Sequence, residues 1–83
     1  MNKLLIEVTL PAAGLSYDLL VPDTMQIGTL TRLAASAFSR LSGGTYLASG
    51  SAVLCRQGTG EQYDVNARIY ETDICNGTKL FLF

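Results

Sequence analysis

The chain has 83 residues, 48% of them hydrophobic, which suffices for one small core and argues against disorder. Six basic and seven acidic residues give a net charge of −1, and the cations Lys3, Arg32, Arg40, Arg56, Arg68 and Lys79 are scattered, so charge-driven binding to nucleic acid or an anionic lipid surface is excluded as the main activity. No apolar run reaches the roughly 18–20 residues of a membrane span, and Leu4-Leu5-Ile6 runs at once into Glu7, which breaks the apolar stretch a signal peptide needs; a cytoplasmic chain with no direct membrane insertion is expected.

Residues 3–10 alternate with period two and place Leu4, Ile6, Val8 and Leu10 on one face, the pattern of a half-buried strand. Pro11 to Gly14 reads as a turn. Residues 16–21 read as a second strand, with Tyr17, Leu19 and Val21 on one face and Ser16 and Asp18 on the other. The two runs are close enough to form a hairpin. After Pro22-Asp23-Thr24 the period becomes helical. From 26 to 41, Ile27, Leu30, Ala34, Ala37, Phe38 and Leu41 form one stripe with Leu33 at its edge, and Asp23 or Thr24 is the expected N-cap. Gly28 in the first turn costs about 1 kcal/mol relative to alanine, so this helix depends on packing. Gly43-Gly44 is expected to stop it.

Residues 42–51 form a loop rich in glycine and serine. A short strand is predicted at 52–56, followed by a turn at Gln57-Gly58-Thr59-Gly60 and a return strand starting at Glu61. Residues 66–75 read as irregular, with a single helical turn near Ile69. Asn76-Gly77 is a strong turn signal, because both residues tolerate positive φ. The chain then closes on Lys79-Leu80-Phe81-Leu82-Phe83, a strand apolar on both faces, which suits a central position in a sheet. There is no Gly-Gly tail, so a folded surface is expected to act here, and not a transferable tag.

The first and last strands are the most hydrophobic. The economical arrangement sets them side by side and parallel, with the helix packed diagonally across one face. That is a single α+β domain over residues 1–83 with the β-grasp, or ubiquitin-like, architecture: a mixed sheet of four to five strands and one helix.

Three stretches carry a resemblance. They are Tyr17-Asp18-Leu19-Leu20-Val21-Pro22, the helix entry with Ile27 and Leu30, and Arg68-Ile69 followed by Ile74, Asn76-Gly77, Leu80 and Leu82. In these the chain resembles the small bacterial ubiquitin-like proteins called YukD or EsaB, which are encoded with type VII (WXG100) secretion systems. Gln26 stands near the place where that family usually carries a proline. The resemblance implies a cytosolic accessory component that is non-enzymatic, is not conjugated to other proteins, and docks on membrane components or the ATPase of the secretion machine.

The residues themselves offer little chemistry. Histidine is absent, which removes the commonest general acid-base group. Glu61, Asp64, Glu71 and Asp73 read as solvated surface charges. Cys55 has no base to activate it, and Gly58-Thr59-Gly60 is followed by neither a helix nor a lysine, so it reads as a hairpin and not a phosphate loop. Two cysteines 20 residues apart, without histidine, offer no zinc ligand set; both are expected to be buried free thiols. No catalytic residue, metal or cofactor is expected.

The sheet face turned away from the helix is the better candidate. By alternation Leu5, Phe81 and Phe83 face outward. Carried to the short strand, the same phase turns Val53 and Cys55 inward and Leu54 outward. Leu5, Leu54, Phe81 and Phe83 would then converge as an apolar protein-binding face, capable also of weak self-association, unless loop 42–51 folds over it. Two functions are consistent with this reading. One is an adaptor or regulator of a type VII secretion system acting by protein–protein binding. The other is a small structural β-grasp subunit of a multicomponent enzyme such as a bacterial multicomponent oxygenase.

Overall fold

A computed structural model describes residues 2–43 and 52–83. The elements follow the order β1 (Lys3–Leu10), β2 (Leu15–Pro22), α1 (Ile27–Leu41), β3 (Leu54–Arg56), a 3₁₀ turn (Ile69–Glu71) and β4 (Lys79–Leu82). The four strands make one mixed sheet in the order β2-β1-β4-β3. The first and last strands of the chain are its parallel central pair, with Glu7 opposite Lys79 and Thr9 opposite Phe81. This is the ubiquitin-like β-grasp fold. The return strand expected after residue 60 is reduced to an isolated bridge between Cys55 and Gln62.

Alternation in the strands fixes the core. Ile6, Val8 and Leu10 from β1, Val21 from β2, Leu54 from β3 and Leu80 and Leu82 from β4 pack with Ile27, Leu30, Ala34, Ala35 and Phe38 of α1, and Ile69 and Ile74 close the side. The helical stripe is as predicted from Ile27 to Phe38, but Leu41 is exposed and Thr31 is buried. Thr31 is accommodated because its hydroxyl donates to the Ile27 carbonyl at 2.8 Å.

The start of α1 is not capped by Asp23 or Thr24. Gln26 is the N-cap, and its side chain makes no capping hydrogen bond. Two of the free N–H groups of the first turn are satisfied by main chain from elsewhere: Ile27 donates to the Ala67 carbonyl and Gly28 to the Val65 carbonyl, both at 2.9 Å. This explains Gly28. A Cβ there would lie 3.2 Å from the Val65 oxygen, so the residue that weakens the helix locally lets the loop approach and cap it.

At the other end of the sheet, the Asn76-Gly77 turn is part of the ladder. Gly77, at φ 88°, donates its N–H to the Leu5 carbonyl at 2.7 Å, and the Asn76 side chain accepts from the Leu5 N–H at 2.8 Å. The turn thereby extends the pairing of β4 with β1 beyond the strand itself.

Candidate functional site: the open sheet face

Leu54 is not on the open face. It is 2% exposed, lies opposite Leu82 and belongs to the core, whereas Cys55 lies opposite Phe81 on the other side of the sheet. The predicted phase of β3 is therefore reversed. A three-residue strand contains too few alternations to declare its inward face. The choice between Val53 with Cys55 and Leu54 alone is settled by register against β4, whose inward residues Leu80 and Leu82 set the inward row. The larger side chain takes the buried place, and Ala52 packs partly against the core below it.

The remaining three residues do face away from the helix, but they do not form one cluster. Phe81 and Phe83 make an aromatic pair, with ring centroids 5.7 Å apart and planes inclined by 55°, a favourable tilted geometry. Phe83 is 59% exposed and Phe81 is half-buried. The backbone of Phe83 is held by reciprocal hydrogen bonds with Val53 at 2.9 and 3.0 Å, so the exposed ring stands on an anchored main chain. Leu5 lies four residues back along β1 from the row of Phe81, a separation of roughly 13 Å at the usual strand rise. Its neighbour is Leu20, directly opposite on β2; both are exposed.

Between these two apolar ends run polar rows. Asp18, Glu7 and Lys79 lie side by side across β2, β1 and β4. Next to them, the Thr9 hydroxyl hydrogen-bonds Ser16 at 2.9 Å, and Gln57 Nε2 donates to Thr9 at 3.2 Å and to the Leu80 carbonyl at 3.1 Å. The open face thus has an aromatic end, a polar belt and a leucine end. The possibility that loop 42–51 covers it turns on residues 44–51, which lie outside the described residues.

Leu20 was legible and missed: it alternates with Leu19 and Val21, so once those face inward it must face outward. A second missed arrangement links the β3 hairpin to the segment before β4. Asp73 pairs with Arg56 and accepts a hydrogen bond from the Tyr63 hydroxyl at 3.0 Å. Burial, and then the hydrogen bond to Asp73, push the Tyr63 phenol up to about 12. The charge on Asp73 also helps hold the Arg56 guanidinium above its ordinary value, after the larger effect of Tyr63. Glu71, likewise read as a free surface charge, accepts from the Arg68 N–H at 2.8 Å, and the Arg68 guanidinium reaches the Thr24 carbonyl at 2.7 Å. These contacts are structural; they hold the hairpin and the 3₁₀ turn.

Both cysteines are free; Cys55 is buried, but Cys75 is exposed, contrary to the expectation that both are buried. It sits in the turn before β4, where its N–H donates to the Thr78 hydroxyl at 2.9 Å. Among the described residues, no three histidine, cysteine or acidic side chains gather as a metal site would require, and no helix is long and apolar enough to cross a membrane.

Taken together, the fold and this face define a ubiquitin-like domain with an exposed, divided sheet surface. Solved structures share the fold at low sequence identity. The ubiquitin-like domain of the Mycobacterium tuberculosis type VII secretion system protein EccD1 superposes with a TM-score of 0.75 at 15% identity, covering 99% of this chain and 98% of that one. Caldiarchaeum subterraneum ubiquitin gives 0.72 at 13%, covering 98% and 91%. A chain of the MycP5-free ESX-5 inner membrane complex gives 0.72 at 17%; it covers 98% of this chain, which spans only 20% of that larger one. No protein-family profile matches the sequence, and neither does any curated protein.

Proposed function

We propose that this chain is a non-enzymatic ubiquitin-like binding module of a type VII secretion apparatus, of the kind its YukD-like segments imply, and that it docks on a protein component of the membrane machine through the aromatic end of its open face. The observation that carries this reading is the Phe81–Phe83 pair, apolar surface on the sheet face opposite the core. Burying one phenylalanine contributes on the order of 1.5–3 kcal/mol, so the pair can anchor a partner, while the polar belt of Glu7, Asp18 and Lys79 supplies rim contacts that set orientation. Similarity to EccD1 and to a chain of the ESX-5 inner membrane complex supports the setting.

The test is a photo-crosslinking residue in place of Phe83, expressed in the native host. The expected adduct joins the chain to a component of the secretion membrane complex, and Phe81→Ser in the same chain abolishes it. An adduct with unrelated proteins only, or secretion that is unaffected when Phe81 and Phe83 are both changed to serine, would refute the proposal.

A further inference from the structure

Among the described residues, the main chain of β2 from Leu15 to Val21 is hydrogen-bonded on its β1 side alone; at the strand's end the Pro22 carbonyl accepts from the Met25 N–H at 3.1 Å. Asp23 donates its N–H to the Asn2 carbonyl at 2.8 Å, and the pairing runs without a slip from Lys3 opposite Pro22 to Leu10 opposite Leu15. Bonded residues alternate in an antiparallel pair. Val21, Leu19 and Tyr17 therefore direct their N–H and C=O groups to β1, and Leu20, Asp18 and Ser16 direct theirs to the free edge. The phase is consistent on the far side of β1, where the Leu5 carbonyl and the Glu7 N–H are bonded to Gly77 and Thr78. The opposite edge of the sheet is covered: Arg56 donates to the Glu61 carbonyl at 2.9 Å and Tyr63 to the Leu54 carbonyl at 3.4 Å.

Edge strands are usually protected by lysine, a bulge, an internal proline or short length. β2 has eight residues in unbroken register, no lysine or arginine, one charge at Asp18, and its proline only at the last position. It also carries Leu20, 62% exposed beside the 47% exposed Leu5.

We propose that β2 is a homodimerisation edge, on which a second copy of this chain adds its own β2 antiparallel to form a continuous eight-stranded sheet. The strand is complementary to itself. With Leu20 opposite Leu20 of the second copy, the outward N–H and C=O groups of both residues close on each other. Asp18 then faces Pro22 of the second copy, which lacks an N–H and whose carbonyl already accepts from its own Met25 N–H at 3.1 Å, so this pair avoids opposing carboxylates while the Leu20 pair carries the main-chain bonds. On the open face the row Leu5–Leu20 runs on into Leu20 and Leu5 of the other molecule. On the helix side Leu19 meets Val21. A register centred on Asp18 would oppose two like charges, which is unfavourable. The contact is isologous and closes at two copies. It also leaves the aromatic end of the face free.

Amide hydrogen exchange of the whole chain, read by NMR at micromolar and millimolar concentration alongside sedimentation velocity, tests this. The amides of Asp18 and Leu20 should exchange rapidly in dilute solution and roughly ten-fold or more slowly when concentrated. Leu20→Lys should abolish both that protection and the dimer without lowering the thermal midpoint of the dilute, monomeric chain, whereas Phe83→Ser should leave them intact. A chain that stays monomeric at millimolar concentration overturns the proposal. So does a dimer that Phe83→Ser disrupts and Leu20→Lys does not, or edge protection that arises only when a different protein is added.

Discussion

Leu54→Ala separates the two readings of β3 most sharply. On the open face the change would remove an exposed side chain and alter stability by less than about 0.5 kcal/mol. In the structure Leu54 is 2% exposed, lies opposite Leu82 and is packed in the main core. Its main chain is also fixed, since β3 is bonded to β4 on one side and accepts the Tyr63 N–H on the other. The strand is therefore poorly able to collapse into the space left behind, and a loss of about 3 kcal/mol is expected within the usual range of about 2–5 for buried leucine. A domain of 83 residues has a total stability of roughly 4–12 kcal/mol, at about 0.05–0.15 kcal/mol per residue. The substitution thus removes a large share of it, and the thermal midpoint should fall by roughly 12–24 °C. Urea unfolding followed by circular dichroism measures the loss, provided the slope m is unchanged. A loss below about 1 kcal/mol at constant m would refute the inward placement of Leu54 and restore it to the open face.

Phe83→Ser should change stability by less than about 1 kcal/mol, because the ring is 59% exposed, while it weakens partner capture; unfolding of this variant would make the aromatic pair part of a core. Gly28→Ala should lower the thermal midpoint, by an overpacking cost of about 1–3 kcal/mol, even though alanine favours helix by about 1 kcal/mol, because its Cβ meets the Val65 carbonyl at 3.2 Å; a raised midpoint would show that the carbonyl gives way freely. The Tyr63 phenol holds its proton to about 12 in the folded chain against 10 for the free side chain. The folded state then binds more protons than the unfolded one, so this contribution is complete below pH 10 and is lost as the pH rises from 10 to about 12. Tyr63→Phe should flatten that part of the alkaline unfolding profile, and an unchanged profile would mean that the phenol titrates alike in both states.

Local pattern determined the elements of this protein and their order. Period-two alternation marks β1 and β2 over enough residues to leave one choice of inward face, and the 3.6-residue stripe from Ile27 to Phe38 does the same for α1. Turn chemistry at Asn76-Gly77 and the apolar character of both terminal strands led to the parallel pairing at the centre of the sheet, and so to the β-grasp. The outward direction of Leu5, Phe81 and Phe83 followed from the same alternation.

Tertiary structure decided what depends on partners distant in the chain. The phase of β3 is set by register against β4, since three residues carry too little periodicity of their own. The cap of α1 is main chain from residues 65 and 67, which no local signal near Asp23 or Thr24 announces. Leu5 and the phenylalanines share a face but lie rows apart, because a parallel pairing of Glu7 with Lys79 puts a charged row between them. Alternation in sequence fixes the side of a sheet on which a residue stands; only strand register fixes which residues on that side are neighbours.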